Sequence, residues 1–213
     1  MTDCQQCNSL LPAANLYFCR MFTGIVETLG TLVSVTAEND NKSFWIQSPI
    51  SQELKVDQSI AHDGICLTVV ELKDNLHRVT AVKETLDKSN IGQWQPNHKI
   101  NLERCLKADG RFDGHIVQGH VDATAILSQI DNQNGSFKLH FTHNKEAGIT
   151  VKKGSICLNG ISLTVVDSEA THFSVVIIPY TWEQTNLGLL KIGETVNVEF
   201  DIVGKYMQKI MNG

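Results

Sequence analysis

The 213-residue chain is 42% hydrophobic and 19% charged, with a formal net charge of −5. It is long enough for one large domain or two of roughly 100 residues, and apolar enough to bury a real core. The acidic balance argues against a nucleic-acid surface or an anionic membrane as partner.

No apolar run approaches the ~20 residues needed to span a bilayer. The opening "MTDCQQCNSLLPAANLYFCR" is too polar for a signal peptide and lacks its basic start. Both features point to a soluble, cytoplasmic protein. Cys4 and Cys7 form a CxxC, but no second CxxC or HxxxH follows to complete four zinc ligands. The six cysteines therefore read as thiols in a reducing compartment, with no metal site. No GxxxxGK[ST] loop and no GxGxxG fingerprint supports polyphosphate or dinucleotide binding.

Along the chain, "SFWIQS", "CLTVVEL" and "HRVTAV" are short runs rich in Val, Ile, Thr and aromatics, separated by turn-prone "ENDNK", "HDG" and "KDN". "ETLDKSNIG" predicts a short helix ending at a glycine that takes the left-handed conformation. The second half repeats the order with "FKLHF", "SLTVVDS" and "FSVVII", broken by "NQNG", "LNG" and "SEAT", and then "YTWEQTNLG". Several short strands in about 90 residues predict a compact barrel or sandwich. In the tail "DIVGKYMQKIMNG", Val203, Tyr206, Met207 and Ile210 recur at helical spacing. An isolated helix of about 12 residues is marginal in water, so the tail must pack, either on its own domain or, the reading favoured here, on other subunits.

The two halves are copies of one design. Residues 59–103 lie on 155–199 without a gap, with fourteen identities, among them Gly64, Leu67, Thr68, Asn90, Asn101 and Glu103 and their partners 96 positions on. Chance would give about three. "GIVETLGTL" (24–32) lies over "GHVDATAIL" (119–127). Between these blocks "SQELK" faces the longer "HNKEAGIT", an apparent three-residue length change that marks a surface loop. The expected organisation is a leader, 1–20, then domains at 21–112 and 113–200, and a tail at 201–213. "GICLTVVEL" and "GISLTVVDS" differ at one chemically loaded place, Cys66 against Ser162.

"MFTGIVE" (21–27), "GICLTV" (64–69), "GHIVQGHV" (114–121) and "NGISLTVV" (159–166), in this order on an internal duplication, resemble the lumazine-binding family of riboflavin synthase alpha chains. The resemblance covers about 21–211. It implies an all-β chain of two six-stranded Greek-key barrels in tandem with a C-terminal α-helix that gathers a homotrimer. The activity implied is dismutation of two 6,7-dimethyl-8-ribityllumazine molecules, by four-carbon transfer, to riboflavin and 5-amino-6-(ribitylamino)uracil. No cofactor is implied; lumazine synthase is a further candidate partner. The first 20 residues depart from the pattern, so the leader reads as disordered or artefactual, with Met21 as the start.

The duplication suits that chemistry. Two copies of one molecule need two similar pockets, and holding both rings in contact can be worth ~7–11 kcal/mol. In the family the working pair of pockets forms where the first domain of one subunit meets the second domain of its neighbour. Cys66 and Ser162 are ordinary candidates for small buried residues; the resemblance instead turns both toward ligand, their difference separating donor from acceptor. Thr68 and Thr164, two residues on, share their strand face and are candidate hydrogen-bonding groups.

His115 and His120, five apart, would lie on opposite faces of a strand and so would not chelate one metal together. Ile25 stands where the second half has His120. By resemblance His120 is the proton carrier that takes the acidic 7-methyl proton, a role that an imidazole of pKa near 6.5 suits, and His115 positions. Phe22, otherwise a core anchor, borders the site in the family and matters for turnover. The same matching assigns pocket walls to Thr23, Gly24, Ile25 and Val26; to Leu67 and to Thr80, Ala81, Val82, Lys83, Glu84 and Thr85; to Gly119, His120 and Val121; and to Lys153, Leu163, Thr164, Ile178, Pro179, Tyr180 and Thr181. Asn159 stands where some members have Asp, and Asp201 is expected to order the join to the tail. The competing readings are a non-catalytic lumazine- or flavin-binding antenna and a flavin-dependent reductase; the retained Cys66, Ser162, His115 and His120 favour catalysis, and two barrels leave no room for a reductant domain.

Overall fold

The computed structural model describes residues 21–212. The expectations placed on 1–20, the CxxC among them, lie outside the described residues. Alternating apolar residues build two closed antiparallel barrels. The first comprises β1 (Thr28–Glu38), β2 (Asn41–Gln47), β3 (Ser59–His62), β4 (Ile65–Lys73), β5 (Leu76–Ala81) and β6 (Lys99–Arg104), in the order β1-β2-β5-β4-β3-β6. The second comprises β7 (Ala123–Asn132), β8 (Phe137–Thr142), β9 (Ser155–Leu158), β10 (Ile161–Ser168), β11 (His172–Ile177) and β12 (Thr195–Phe200), paired in the same order. Closure removes the exposed strand edges that short sheets otherwise present.

The cores repeat as the strands do. Leu32, Phe44, Ile46, Ile60, Val69 and Leu102 fill the first barrel, and Leu127, Leu139, Phe141, Ile156, Val165 and Val198 stand at the matching places in the second. The connections between the second and third strands run over 48–58 and 143–154, so the length change is one residue rather than three. The two connections differ in conformation, since only the first contains a 3-10 turn, Ser51–Glu53, so "SQELK" and "HNKEAGIT" are not equivalent pieces.

Each barrel carries one short helix, α1 (Lys83–Lys88) or α2 (Pro179–Gln184). Neither runs to the expected left-handed glycine. They stop at Ser89 and Thr185, whose backbones are extended and whose side chains accept from Ile91 N and Leu187 N to cap the 3-10 turns Asn90–Gln93 and Asn186–Leu189. Gly92 and Gly188 lie inside those turns and are not among the glycines with positive φ. The tail forms α3 (Ile202–Asn212) as expected. Asp201 Oδ1 accepts from Val203 N at its start. Val203, Tyr206, Met207 and Ile210 are 52–75% exposed, so this chain does not cover them itself. No helix among the described residues is long and apolar enough to cross a membrane.

The barrels meet about an approximate twofold axis. The hairpin tips Asp63-Gly64 and Asn159-Gly160 have positive φ at both residues, as a two-residue type I′ turn requires. These tips press on each other: a Cβ built on Gly64 lies 2.7 Å from Gly160 N, and one on Gly160 lies 2.7 Å from Gly64 N. Reciprocal amide bonds surround the contact. Asn101 Nδ2 donates to Asn159 O (2.8 Å), and Asn197 Nδ2 donates to Asp63 O (3.0 Å). Asn186 N donates to Asn101 Oδ1 (2.9 Å), and Asn90 N donates to Asn197 Oδ1 (2.8 Å). Phe22 bridges Val117 in antiparallel fashion close by.

Candidate active site

The segments before the first strand of each half cross toward the opposite barrel. Ser162 N on β10 donates to Gly24 O (2.8 Å), and Cys66 N on β4 donates to Gly119 O (2.9 Å). Two cavities result, each walled by both halves. One, of about 240 Å³, brings Cys66, Glu84 and Thr85 of the first barrel against Gly119, His120 and Val121. The other, of about 500 Å³, brings Ser162, Tyr180 and Thr181 of the second barrel against Gly24, Ile25 and Val26. Cys66 and Ser162 thus hold equivalent places, and His120 faces the Cys66 cavity where Ile25 faces that of Ser162.

The segment 113–121 is not a strand, because the positive φ of Gly119 (+79°) turns it. His115 and His120 part company for that reason and not by strand alternation. The His115 ring reaches the other cavity's residue, with Nδ1 2.7 Å from Ser162 Oγ. Burial pushes the His115 pKa below its ordinary value, partly opposed by Asp201. The imidazole is therefore neutral at neutral pH, able to accept the Ser162 hydroxyl proton. The fully buried thiol of Cys157 is pushed well up by burial, with Glu199 and Glu103 adding to it, which keeps it protonated and inert.

Several nominated residues stand elsewhere. Phe22 is fully buried in a small core with Ala61, Val117 and Cys157, where it anchors the crossing segment, and it lines neither of these two cavities. Leu67 and Ala81 point into the first core, and Leu163 packs against the second. Thr80 pairs with Ser43 Oγ (2.8 Å). Thr68 and Thr164 point outward beside Cys66 and Ser162 but line neither cavity; the exposed Val82, Lys83, Lys153, Ile178 and Pro179 and the buried Thr23 line neither one either. The cavities add Lys88 and Ser89 on one side and Glu27, Glu183 and Gln184 on the other. The 3.6-residue period of α1 and α2 is the signal that would have found Lys88 and Gln184, one turn beyond Glu84 and Tyr180. A third cavity of about 500 Å³ lies where Trp94 and His98 meet Leu190 and Glu194; of the residues singled out in the sequence by resemblance it is lined by Asn159.

Comparison with known proteins gives the same twofold picture. A family model described as the lumazine binding domain matches the chain twice, at residues 23–105 and 118–201. Riboflavin synthase of Actinobacillus pleuropneumoniae is 39% identical over 193 residues, covering 90% of each chain. Riboflavin synthase of Mycobacterium tuberculosis (strain ATCC 25618 / H37Rv) is 40% identical over 197 residues, covering 90% of this chain and 98% of its own. Among solved structures, LumP complexed with 6,7-dimethyl-8-(1'-D-ribityl) lumazine shares the fold, with a TM-score of 0.78 and 21% identity over 84% of this chain and 99% of that one. The chain belongs to the lumazine-binding domain family, among the riboflavin synthases.

Proposed function

We propose that the protein is a riboflavin synthase, which moves a four-carbon unit from one 6,7-dimethyl-8-ribityllumazine to another. The observation that carries this is the pair of equivalent cavities, one holding Cys66 with His120 and the other Ser162 with His115 behind it. Each takes one lumazine. His120 removes the acidic 7-methyl proton, and the His115–Ser162 pair offers a hydroxyl that donates or accepts at its own ring. The difference between the two sites gives the two identical substrates different roles.

In this reading two cavities are brought face to face by neighbouring subunits, as in the family, in a cytoplasmic homotrimer to which lumazine synthase is a further partner. The uncovered apolar stripe of α3 supports the oligomer, since such a stripe is costly to leave in water. The tail at 201–213 then serves assembly without touching substrate. Thr68, Thr164 and the exposed Ile178 and Lys153 would meet ligand only once a neighbouring subunit closes the cavity mouths.

The test is to incubate the protein with 6,7-dimethyl-8-ribityllumazine alone and follow riboflavin by absorbance and fluorescence. Turnover without added reductant or metal is expected. Binding without product would leave the antenna reading in its place.

A further inference from the structure

Two buried carboxylates are used by none of the chemistry above. Glu103, on β6, is 6% exposed, and Glu199, on β12, is 3% exposed. They are equivalent in the repeat, and both hold backbone amides rather than a salt-bridge cation. Glu103 accepts from Thr23 N (2.7 Å), Thr23 Oγ1 (3.1 Å) and Gly24 N (3.0 Å). Glu199 accepts from Gln118 N (2.7 Å), Gly119 N (2.9 Å) and His120 N (2.9 Å). A carboxylate buried among apolar neighbours is expensive unless its oxygens are satisfied, and here the satisfying groups are the N–H groups of the two crossing segments.

The carbonyls of those same segments are held from the other side. Gly24 O accepts from Ser162 N and Gly119 O from Cys66 N. Each segment is therefore clamped between a carboxylate of one barrel and a strand of the other. The wiring is crossed: Glu103 of the first barrel holds the wall of the Ser162 cavity in the second, and Glu199 of the second barrel holds the His120 wall of the Cys66 cavity in the first.

We propose that Glu103 and Glu199 are positioning residues, each setting the substrate pocket of the opposite barrel. This rests on the synthase reading for its consequence in turnover, but the clamp itself does not. Substitution by Gln tests it, because an amide keeps the shape while turning an NH₂ donor toward an N–H donor.

Amide hydrogen exchange with riboflavin as the probe ligand separates the possibilities. In Glu103→Gln, amides 23–25 should exchange at least about tenfold faster, with 118–120 unchanged; in Glu199→Gln the pattern should reverse. Riboflavin should slow exchange in both segments of the unaltered protein and lose that effect only at the segment whose clamp was removed. Both variants should lose turnover, since the reaction needs both pockets filled. Equal loosening of both segments, or of neither, would overturn the proposal. Should the unaltered protein fail to bind riboflavin while the crossed exchange pattern holds, the synthase reading falls and the clamp stands. If a Gln variant does not fold by circular dichroism, Glu103→Asp and Glu199→Asp keep the charge with a shorter reach, and a crossed, smaller increase in exchange is the outcome required.

Discussion

Lys205 Nζ, one turn into α3, lies 2.6 Å from Asp122 Oδ2, and the same oxygen accepts from Phe200 N (2.9 Å). Asp122 is two residues beyond His120, so the base of the tail helix is strutted to the wall of the Cys66 cavity. The pair is only about a quarter exposed, 27% and 24%, and is less screened than a surface ion pair. If subunits assemble through α3 as proposed, this strut ties that assembly to a cavity that the helix does not line. Lys205→Met keeps the aliphatic stem and removes the strut. It should lower kcat about fivefold, the equivalent of about 1 kcal/mol, with the oligomer intact by light scattering. An unchanged kcat would separate the helix from the pocket.

Cys66 and His120 should be separable in kinetics. If His120 moves the 7-methyl proton, His120→Ala should cut kcat by about 10²-fold or more, within the usual range for a general acid–base group. KM should change little. Cys66→Ala, losing a contact rather than a proton carrier, should cost about tenfold. Riboflavin formation under saturating substrate measures both. Equal, small losses would mean that neither touches the reacting atoms.

The contact of Gly64 with Gly160 makes a prediction about the joint between the barrels. At both positions φ is strongly positive (+76° and +77°), and an added Cβ would stand 2.7 Å from the other tip's backbone nitrogen. Gly64→Ala and Gly160→Ala should each destabilise the chain by about 2–4 kcal/mol, the left-handed backbone and the clash adding together. Urea unfolding should show each barrel folded but the transition split in two, because the joint fails before the cores. A single transition at the original midpoint would show that the tips can part without consequence.

Much of this organisation was legible in the sequence. Strand runs, "DG" and "NG" turns and a repeat of fourteen identities identify two β domains, and Cys66 and Ser162, the loaded difference between the copies, line two matching cavities. The crossing of residues 22–26 and 114–121 onto the opposite barrels was not legible, because it depends on contacts some 80 residues apart that no local pattern encodes. That crossing is why His115 belongs with Ser162 and not with its sequence neighbour His120. It also accounts for the place of Phe22, which the motif sets beside the pocket and which is buried against Ala61, Val117 and Cys157 at the crossing. Glu103 and Glu199 did leave a signal: an acid identical in both halves, on the strand face opposite the core residues Leu102 and Val198, marks a face that repeats one polar requirement twice.

The repeat breaks most sharply inside the first barrel. His62 Nε2 lies 2.9 Å from His77 Nε2, His77 Nδ1 lies 2.8 Å from Ser51 Oγ, and Ser51 Oγ lies 2.8 Å from Ser48 Oγ, all fully or nearly fully buried. The second barrel has Leu158 and Phe173 at the histidine positions. His62 Nδ1 can only donate to Ile60 O (3.1 Å), so His62 Nε2 accepts from His77, and His77 Nδ1 in turn accepts from Ser51. The chain of bonds requires both rings neutral. Burial lowers the His77 pKa to about 4 and that of His62 well below 6.5. The unfolded chain takes up protons on these rings below about 6.5, while in the folded chain His77 resists until about 4 and His62 resists well below 6.5, so stability falls as pH falls below about 6.5. The slope is up to about 1.4 kcal/mol per pH unit for each ring. Glu103, pushed up to about 7 by burial, and Glu199, also raised, slope the other way. The informative quantity is therefore the difference between the unaltered chain and His62→Leu/His77→Phe, which transplants the second barrel's solution. Between pH 7 and pH 5 the double variant should gain about 2–4 kcal/mol relative to the unaltered chain, measured by urea unfolding at each pH. Parallel stability curves would mean that the two rings titrate alike folded and unfolded, and that the buried pair is no liability in acid.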